Sequence, residues 1–173
     1  MRTAVPVHDG NAMCPIDSPV LLSPNTVEAL AVVHAWGGAF NERDIDRMLA
    51  LSAPDIRLAD GDRINQGHDA VRRLLHLQSY GVAQQIRPRR YIGRAPTVAV
   101  EAAFELRWVE GGALAETVER VGVFDVRDGR VAQVCLQPDL ETAFRVAGWP
   151  PAHVGSTREL PTPQAPQRVP RSC

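Results

Sequence analysis

The chain reads as an α+β domain, with helices grouped early, an antiparallel sheet late and a short helix to close. Three observations predict this. Residues 97–109, 114–126 and 131–137 are apolar, β-branched-rich runs separated by Glu110-Gly111-Gly112-Ala113 and Arg127-Asp128-Gly129-Arg130. Asp-Gly between such runs is a strong short hairpin signal, so the three runs form a meander that must bury one face. Upstream, Val27, Leu30, Ala31, Val33, His34 and Phe40 recur at helical spacing and make one apolar stripe. With 173 residues, 45% of them hydrophobic, a single domain can build a sizeable core.

Taken in order, residues 1–22 hold Pro6, Gly10, Pro15 and Pro19 without periodicity and read as a flexible arm. Ser23-Pro24-Asn25-Thr26-Val27-Glu28 is a helix start, with Pro24 suited to the first turn and Asn25 and Glu28 at capping-box spacing. Gly37-Gly38 weakens that helix near its end. A second, shorter helix carries Ile45, Met48, Leu49 and Leu51 and stops before Pro54. Residues 56–60 alternate as a strand, placing Asp60 on the side of Ile56 and Leu58; an acid on that side is the unusual feature. Residues 61–66 read as a loop, residues 67–75 as a third helix and residues 84–91 as a strand. Asp139 can cap a last helix over residues 140–147, ended by Gly148. Six prolines follow from Trp149 onward, and residues 149–173 read as a Pro-rich, extended or disordered tail. The folded unit is thus expected over residues 23–148.

The formal net charge is −1, which argues against nucleic-acid and membrane-surface partners, since both need a basic excess. Every basic residue is Arg, and Arg87, Arg89, Arg90 and Arg94 cluster as a solvated basic strand edge would. Cys14, Cys135 and Cys173 are odd in number, far apart and without metal spacing. With no apolar leader and no run long enough to span a bilayer, a reduced, cytoplasmic protein is expected. His34 and His68 lack a second ligand at plausible spacing, and no phosphate loop or nucleophile motif is present. Neither a metal nor any other cofactor is expected.

Three stretches carry a resemblance: Asn41-x-x-Asp44-x-Asp46 between the first two helices, Ala53-Pro54-Asp55-Ile56 through Asp60 to Gly67-His68-Asp69-Ala70-Val71-Arg72, and residues 122–131. In this order they resemble the nuclear transport factor 2-like superfamily, over about residues 25–148. The nearer branches are the SnoaL-like polyketide cyclases, ketosteroid isomerase, the polyether epoxide-opening enzymes and limonene epoxide hydrolase. The resemblance implies a cone-shaped curved antiparallel sheet wrapped by three N-terminal helices, with a short C-terminal helix. Function is less determined, because this fold hosts several chemistries and non-enzymes.

Carried over residue by residue, Asp60 falls where the isomerase and polyether branches keep a pocket general base. The isomerase's oxyanion Tyr falls on Trp36 and its protonated Asp on Gly122, which has no side chain to donate. The second acid of the polyether branch falls near Gln84-Gln85, a neutral pair. The Arg, Asp and distant Asp of the epoxide hydrolases fall on Ala103, Glu105 and Leu136. A two-residue turn at Gly111-Gly112 would pair Ala103 with Arg120 and Glu105 with Val118, returning an Arg to the vacated place. The expected site is therefore Asp60, Glu105 and Arg120 as catalytic groups, with Trp36, Leu58, Phe124 and Leu136 lining it.

One conflict stays open in the sequence. Patterning puts Val98, Val100, Ala102, Phe104, Leu106 and Trp108 on the core face and Glu105 toward water. The family alignment turns Glu105 inward and makes the face with Phe104, Leu106 and Trp108 a homodimer interface, which a β-bulge would permit. A carboxylate among Ile56, Leu58 and aromatic rings would lose hydration and hold its proton more tightly, as suits proton transfer near neutral pH. The expected activity is a cofactor-free acid–base reaction on a small apolar molecule of polyketide, terpenoid or steroid type: cyclisation, isomerisation or epoxide opening. The alternative is a non-catalytic ligand-binding or dimerisation module on the same fold.

Overall fold

The computed structural model describes residues 23–76 and 81–150. The expected arm lies outside them, as does the expected tail beyond Pro150. The elements run α1 (Pro24–Glu42), α2 (Ile45–Ala50), β1 (Ser52–Asp60), β2 (Arg63–Gln66), α3 (His68–His76), β3 (Val82–Arg94), β4 (Thr97–Trp108), β5 (Leu114–Arg127), β6 (Arg130–Gln137) and α4 (Leu140–Val146). The six strands form one sheet in the order β2-β1-β6-β5-β4-β3. Four of its pairings are antiparallel; β1 lies parallel to β6, so the sheet is mixed where a purely antiparallel one was expected. The parallel pair arises because the chain leaves β1 through β2 and α3 and returns to β1's flank only after the meander.

The helix starts follow capping chemistry. Ser23, not Asn25, caps α1: its hydroxyl accepts from the Thr26 N–H at 3.2 Å, and Pro24 takes the first turn. The helix runs through Gly37-Gly38 to Glu42, where Arg43 turns left-handed at φ 59°. Asp44 and Asp139 cap α2 and α4. At Gly93 on β3 a Cβ would sit 2.7 Å from Thr26 Cγ2, so glycine there lets the start of α1 lie directly on the strand.

Two short elements differ from expectation. Residues 63–66 are a strand, not a loop: Asp60 and Arg63 close a hairpin around Gly61, which adopts φ 55°. Strand β1 begins at Ser52, four residues early, and accommodates Pro54 through a shift of register between Ser52 and Arg57.

The sheet has two unlike faces. Its concave face carries Val98, Val100, Ala102, Phe104, Phe124, Val131 and Val134 and buries them against Ala29, Val33, Trp36 and Phe40 of α1 and Val71 of α3. On the outer face α4 covers Ile92, Ala99, Val121 and Val123 with Ala143 and Phe144. Trp149 packs against Phe144 at 5.5 Å between ring centroids, so the folded unit extends at least that far. The rest of the outer face over β3, β4 and β5 is charged: Arg87–Glu105 at 3.0 Å, Arg107–Glu105 at 2.8 Å, Arg89–Glu119 at 2.6 Å and Arg90–Glu101 at 2.9 Å. The arginine cluster thus does mark a sheet edge, since β3 is the terminal strand.

Candidate functional site

Between the concave face and the helices is a cavity of about 400 Å³. Its floor follows from strand periodicity. Leu58, Val134, Phe124 and Val98 are successive partners across β1, β6, β5 and β4, and Asp60, Leu136, Gly122 and Val100 form the next row. Directly opposed residues share a face, so one strand parity delivers both rows to the same side. Trp36, Leu58, Phe124 and Leu136, the four residues expected to line the site, all border the cavity.

The aromatic wall is tightly interlocked. Phe124 meets Trp36 edge-on, with ring centroids 5.8 Å apart, and Trp36 stacks on Phe40 at 6.3 Å. Gly122 provides room for this arrangement, because a Cβ on it would lie 2.7 Å from Phe124 Cε2. Trp36 Nε1 donates to Ser52 Oγ at 3.0 Å, and Ser52 Oγ donates to the Met48 carbonyl at 2.7 Å. The indole N–H is therefore engaged within the fold and does not stand in for the oxyanion donor expected at that place.

The polar lining groups are Asp60, Arg63, Asn65, Arg73 and Gln84; the first four are exposed and mark the mouth, whereas Gln84 is half-buried on β3 at the other edge of the sheet. Asp60 does reach the cavity, as its alternation with Leu58 requires. It is solvent-exposed, however, being the last residue of β1 beside the Gly61 turn, and the expected loss of hydration does not occur. Among the described residues no other carboxylate lines the cavity.

The other two expected catalytic groups are not brought to it. Glu105 shares the outer face with Gln85 and Thr117, and its carboxylate accepts from Arg87 Nε at 3.0 Å and Arg107 Nη2 at 2.8 Å. The hydrogen bond from Arg107, followed by that from Arg87, holds its carboxyl below the usual carboxylate range. Arg120 pairs with Ala102 rather than Ala103, because the connection from Trp108 to Ala113 is longer than a two-residue turn and the ladder shifts at Leu106/Arg107. It is exposed and does not line the cavity. Patterning therefore prevails over family alignment on β4. Phe104 forms cavity wall inside the chain, which removes it from the dimer face expected to include Leu106 and Trp108.

Sequence reasoning missed Arg63, Asn65 and Arg73. A signal existed for the first two: Asp60-Gly61 between alternating segments is itself a hairpin signature that brings Arg63 and Asn65 opposite Asp60 and Leu58. Asn41, at the end of α1, was quoted only as part of a motif. Its Nδ2 donates to the Ile86 carbonyl and its Oδ1 accepts from the Ile86 N–H, both at 2.8 Å. It thereby satisfies the free edge of β3 beside the cavity. Farther along β3, burial pushes the phenol of Tyr91, whose ring is tilted against His34 of α1, up to about 12. Among the described residues no cluster of His, Cys, Asp or Glu could hold a metal ion, and no helix is long and apolar enough to cross a membrane.

A family model described as a SnoaL-like domain matches residues 33–134. Among solved structures, a candidate polyketide cyclase from Xanthomonas campestris is similar with a TM-score of 0.57 at 25% identity, over 65% of this chain and 90% of that one. An LEH-like epoxide hydrolase of M. tuberculosis gives a TM-score of 0.58 at 24% identity, over 70% and 90%. An NTF2-like protein of unknown function from Burkholderia pseudomallei gives 0.56 at 23% identity, over 68% and 95%. Such distant likeness speaks to the fold. No curated protein matches the chain.

Proposed function

Because the chain belongs to the SnoaL-like domain family, we propose that it binds a small, mostly apolar molecule in the concave cavity and that Asp60 moves a proton on the end of that molecule lying at the mouth. The observation that carries this reading is an open hollow of about 400 Å³, walled by aromatic and aliphatic groups, with Asp60 as the one lining carboxylate among the described residues. Open pockets of this size with a few convergent polar groups are the usual form of small-molecule sites. A single acid–base group serves a cyclisation, a double-bond shift or an epoxide opening, each of which needs one proton taken or returned at a fixed place.

A second reading, ligand binding without turnover, is favoured by one observation. Asp60 is hydrated, and Glu105, the expected second carboxylate, sits on the opposite face of the sheet. A carboxylate in water is a weaker base than one in an apolar pocket, and no neighbouring acid separates the roles of acid and base. One experiment decides between the two. Ligand that co-purifies with the full chain is identified by mass spectrometry, and turnover and affinity are then measured for wild type and Asp60→Asn. Loss of turnover with retained binding supports the enzyme. Turnover by Asp60→Asn at the wild-type rate removes the role given to Asp60. Binding without turnover by either protein establishes the binder.

A further inference from the structure

We infer that the molecule held in the cavity carries a carboxylate at its outer end, received by Arg63 and Arg73. The inference rests on the binding reading above and adds to it a ligand class.

Three facts support it. Among the described residues, the ionisable side chains lining the cavity are Arg63 from β2, Arg73 from α3 and Asp60 from β1, two positive charges against one negative. Every other described group on the wall is neutral, so among the described residues the lining has a net positive balance, in a chain whose overall formal charge is −1.

The second fact is the state of those arginines. Eight described arginines form ion pairs, among them the outer-face set with glutamates at 2.6–3.0 Å and Arg72, next to Arg73 on the same helix, with Asp69 at 2.7 Å; Arg43, Arg57, Arg94, Arg120 and Arg130 form none, and none of these five borders the cavity. Arg63 and Arg73 belong to no ion pair among the described residues. This holds although Asp60 is the direct cross-strand partner of Arg63. Two guanidinium groups at one opening are thus left with their donor forks available.

The third fact is the division between wall and mouth. Behind the rim the wall is formed by groups such as Leu58, Val100, Phe104 and Phe124, which would give an internal anion no partner. An anionic ligand must therefore lie with its hydrocarbon inward and its charge outward. A carboxylate is the group that a guanidinium fork receives with two parallel N–H donors, and Asn65, two residues along β2 from Arg63, borders the same cavity as a neutral hydrogen-bonding group. A cationic ligand would find one carboxylate and two repelling arginines. A neutral ligand would accept from the guanidinium groups without the charge-assisted, two-pronged pairing that a carboxylate gives.

A matched pair of probes tests this: 1-naphthylacetic acid and 2-(1-naphthyl)ethanol, which share a ring system and differ in the charge of the end group. Each is titrated calorimetrically into the full chain and into an Arg63→Gln/Arg73→Gln double variant, in low salt and again in 0.5 M salt. The inference predicts that wild type prefers the acid by about 5- to 20-fold in low salt, the range expected of exposed charge-assisted hydrogen bonds. The preference falls to about twofold or less in the double variant and shrinks in high salt, while the alcohol binds both proteins alike. Equal affinity of wild type for the two probes overturns the inference and leaves the cavity reading standing. A preference that survives in the double variant also overturns it, because the charge is then read elsewhere. Failure of both probes to bind wild type counts against the cavity reading itself.

Discussion

Replacing Gly122 by alanine probes the cavity wall at its tightest point. The new Cβ would meet Phe124 Cε2 at 2.7 Å, Cζ at 3.3 Å and Cδ2 at 3.6 Å. Real contacts of this kind essentially never fall below 3.0 Å, so the Phe124 ring must move. It cannot do so independently, because it stands edge-on to Trp36 at 5.8 Å and Trp36 is tied to Ser52. Overpacking of this sort costs about 1–3 kcal/mol. Against it stands about 0.5–1 kcal/mol gained by removing a glycine from a strand interior. The expected net loss is about 0.5–2 kcal/mol, read as a lower midpoint in urea at unchanged slope. The displaced ring also enters the cavity, so affinity for an apolar probe should fall more steeply than stability. Combining Gly122→Ala with Phe124→Leu relieves the clash, and the double variant should be less destabilised than the sum of the single changes. A Gly122→Ala protein with wild-type stability and probe affinity, or strict additivity in the double variant, would refute the packing argument.

Further outcomes follow from other contacts. Glu105→Gln should leave ligand binding unchanged, because the side chain lies on the outer face with Arg87 and Arg107. Its folded-state proton affinity is depressed, so its stabilising contribution is present above the ordinary value of 4.5 and is lost as pH falls below it. Urea midpoints of Glu105→Gln should therefore approach those of wild type in acid, and a difference that widens there would contradict the assignment. Asn41→Ala should cost about 1–3 kcal/mol by chemical denaturation, since it orphans both backbone groups of Ile86. Trp36→Phe should cost a similar ~1–3 kcal/mol through the lost Ser52 contact and the smaller ring. Unchanged stability with abolished turnover would instead place the indole N–H on the ligand.

Much of the fold was legible because strands and helices announce themselves by period. The run over residues 97–109 alternates cleanly, and that alternation correctly placed Val100, Ala102 and Phe104 inward and Glu105 outward. What failed was register. Gly111 and Gly112 both adopt positive φ, at 83° and 66°, yet the connection is closed by hydrogen bonds from Trp108 N–H to the Ala113 carbonyl and from Gly112 N–H to the Trp108 carbonyl. That longer turn and the shift at Leu106/Arg107 move Arg120 by one residue, opposite Ala102 and so onto the parity of the concave face, but it is exposed there and does not border the cavity. The lining residues Trp36, Leu58, Phe124 and Leu136 could be anticipated, since each is set by the parity or stripe of its own element. The rim could not be read as a whole, because Arg73 on α3 and Arg63 on β2 border one cavity only once the helix packs on the sheet. The exposure of Asp60 depends equally on where β1 ends, which alternation alone does not determine.

The central claim is that an apolar molecule enters the concave cavity and rests against its aromatic wall. The indole N–H resonances of Trp36, Trp108 and Trp149 report on this directly in a ¹H–¹⁵N correlation spectrum, with the Trp36 peak identified by its absence in Trp36→Phe. Trp36 lies in the cavity wall, whereas Trp108 is half exposed at the far end of β4. Titration with 2-(1-naphthyl)ethanol should move the Trp36 peak along a saturable, single-site curve and leave Trp108 in place. A Trp36 peak that stays fixed at saturating probe, or a response confined to Trp108, would contradict the account.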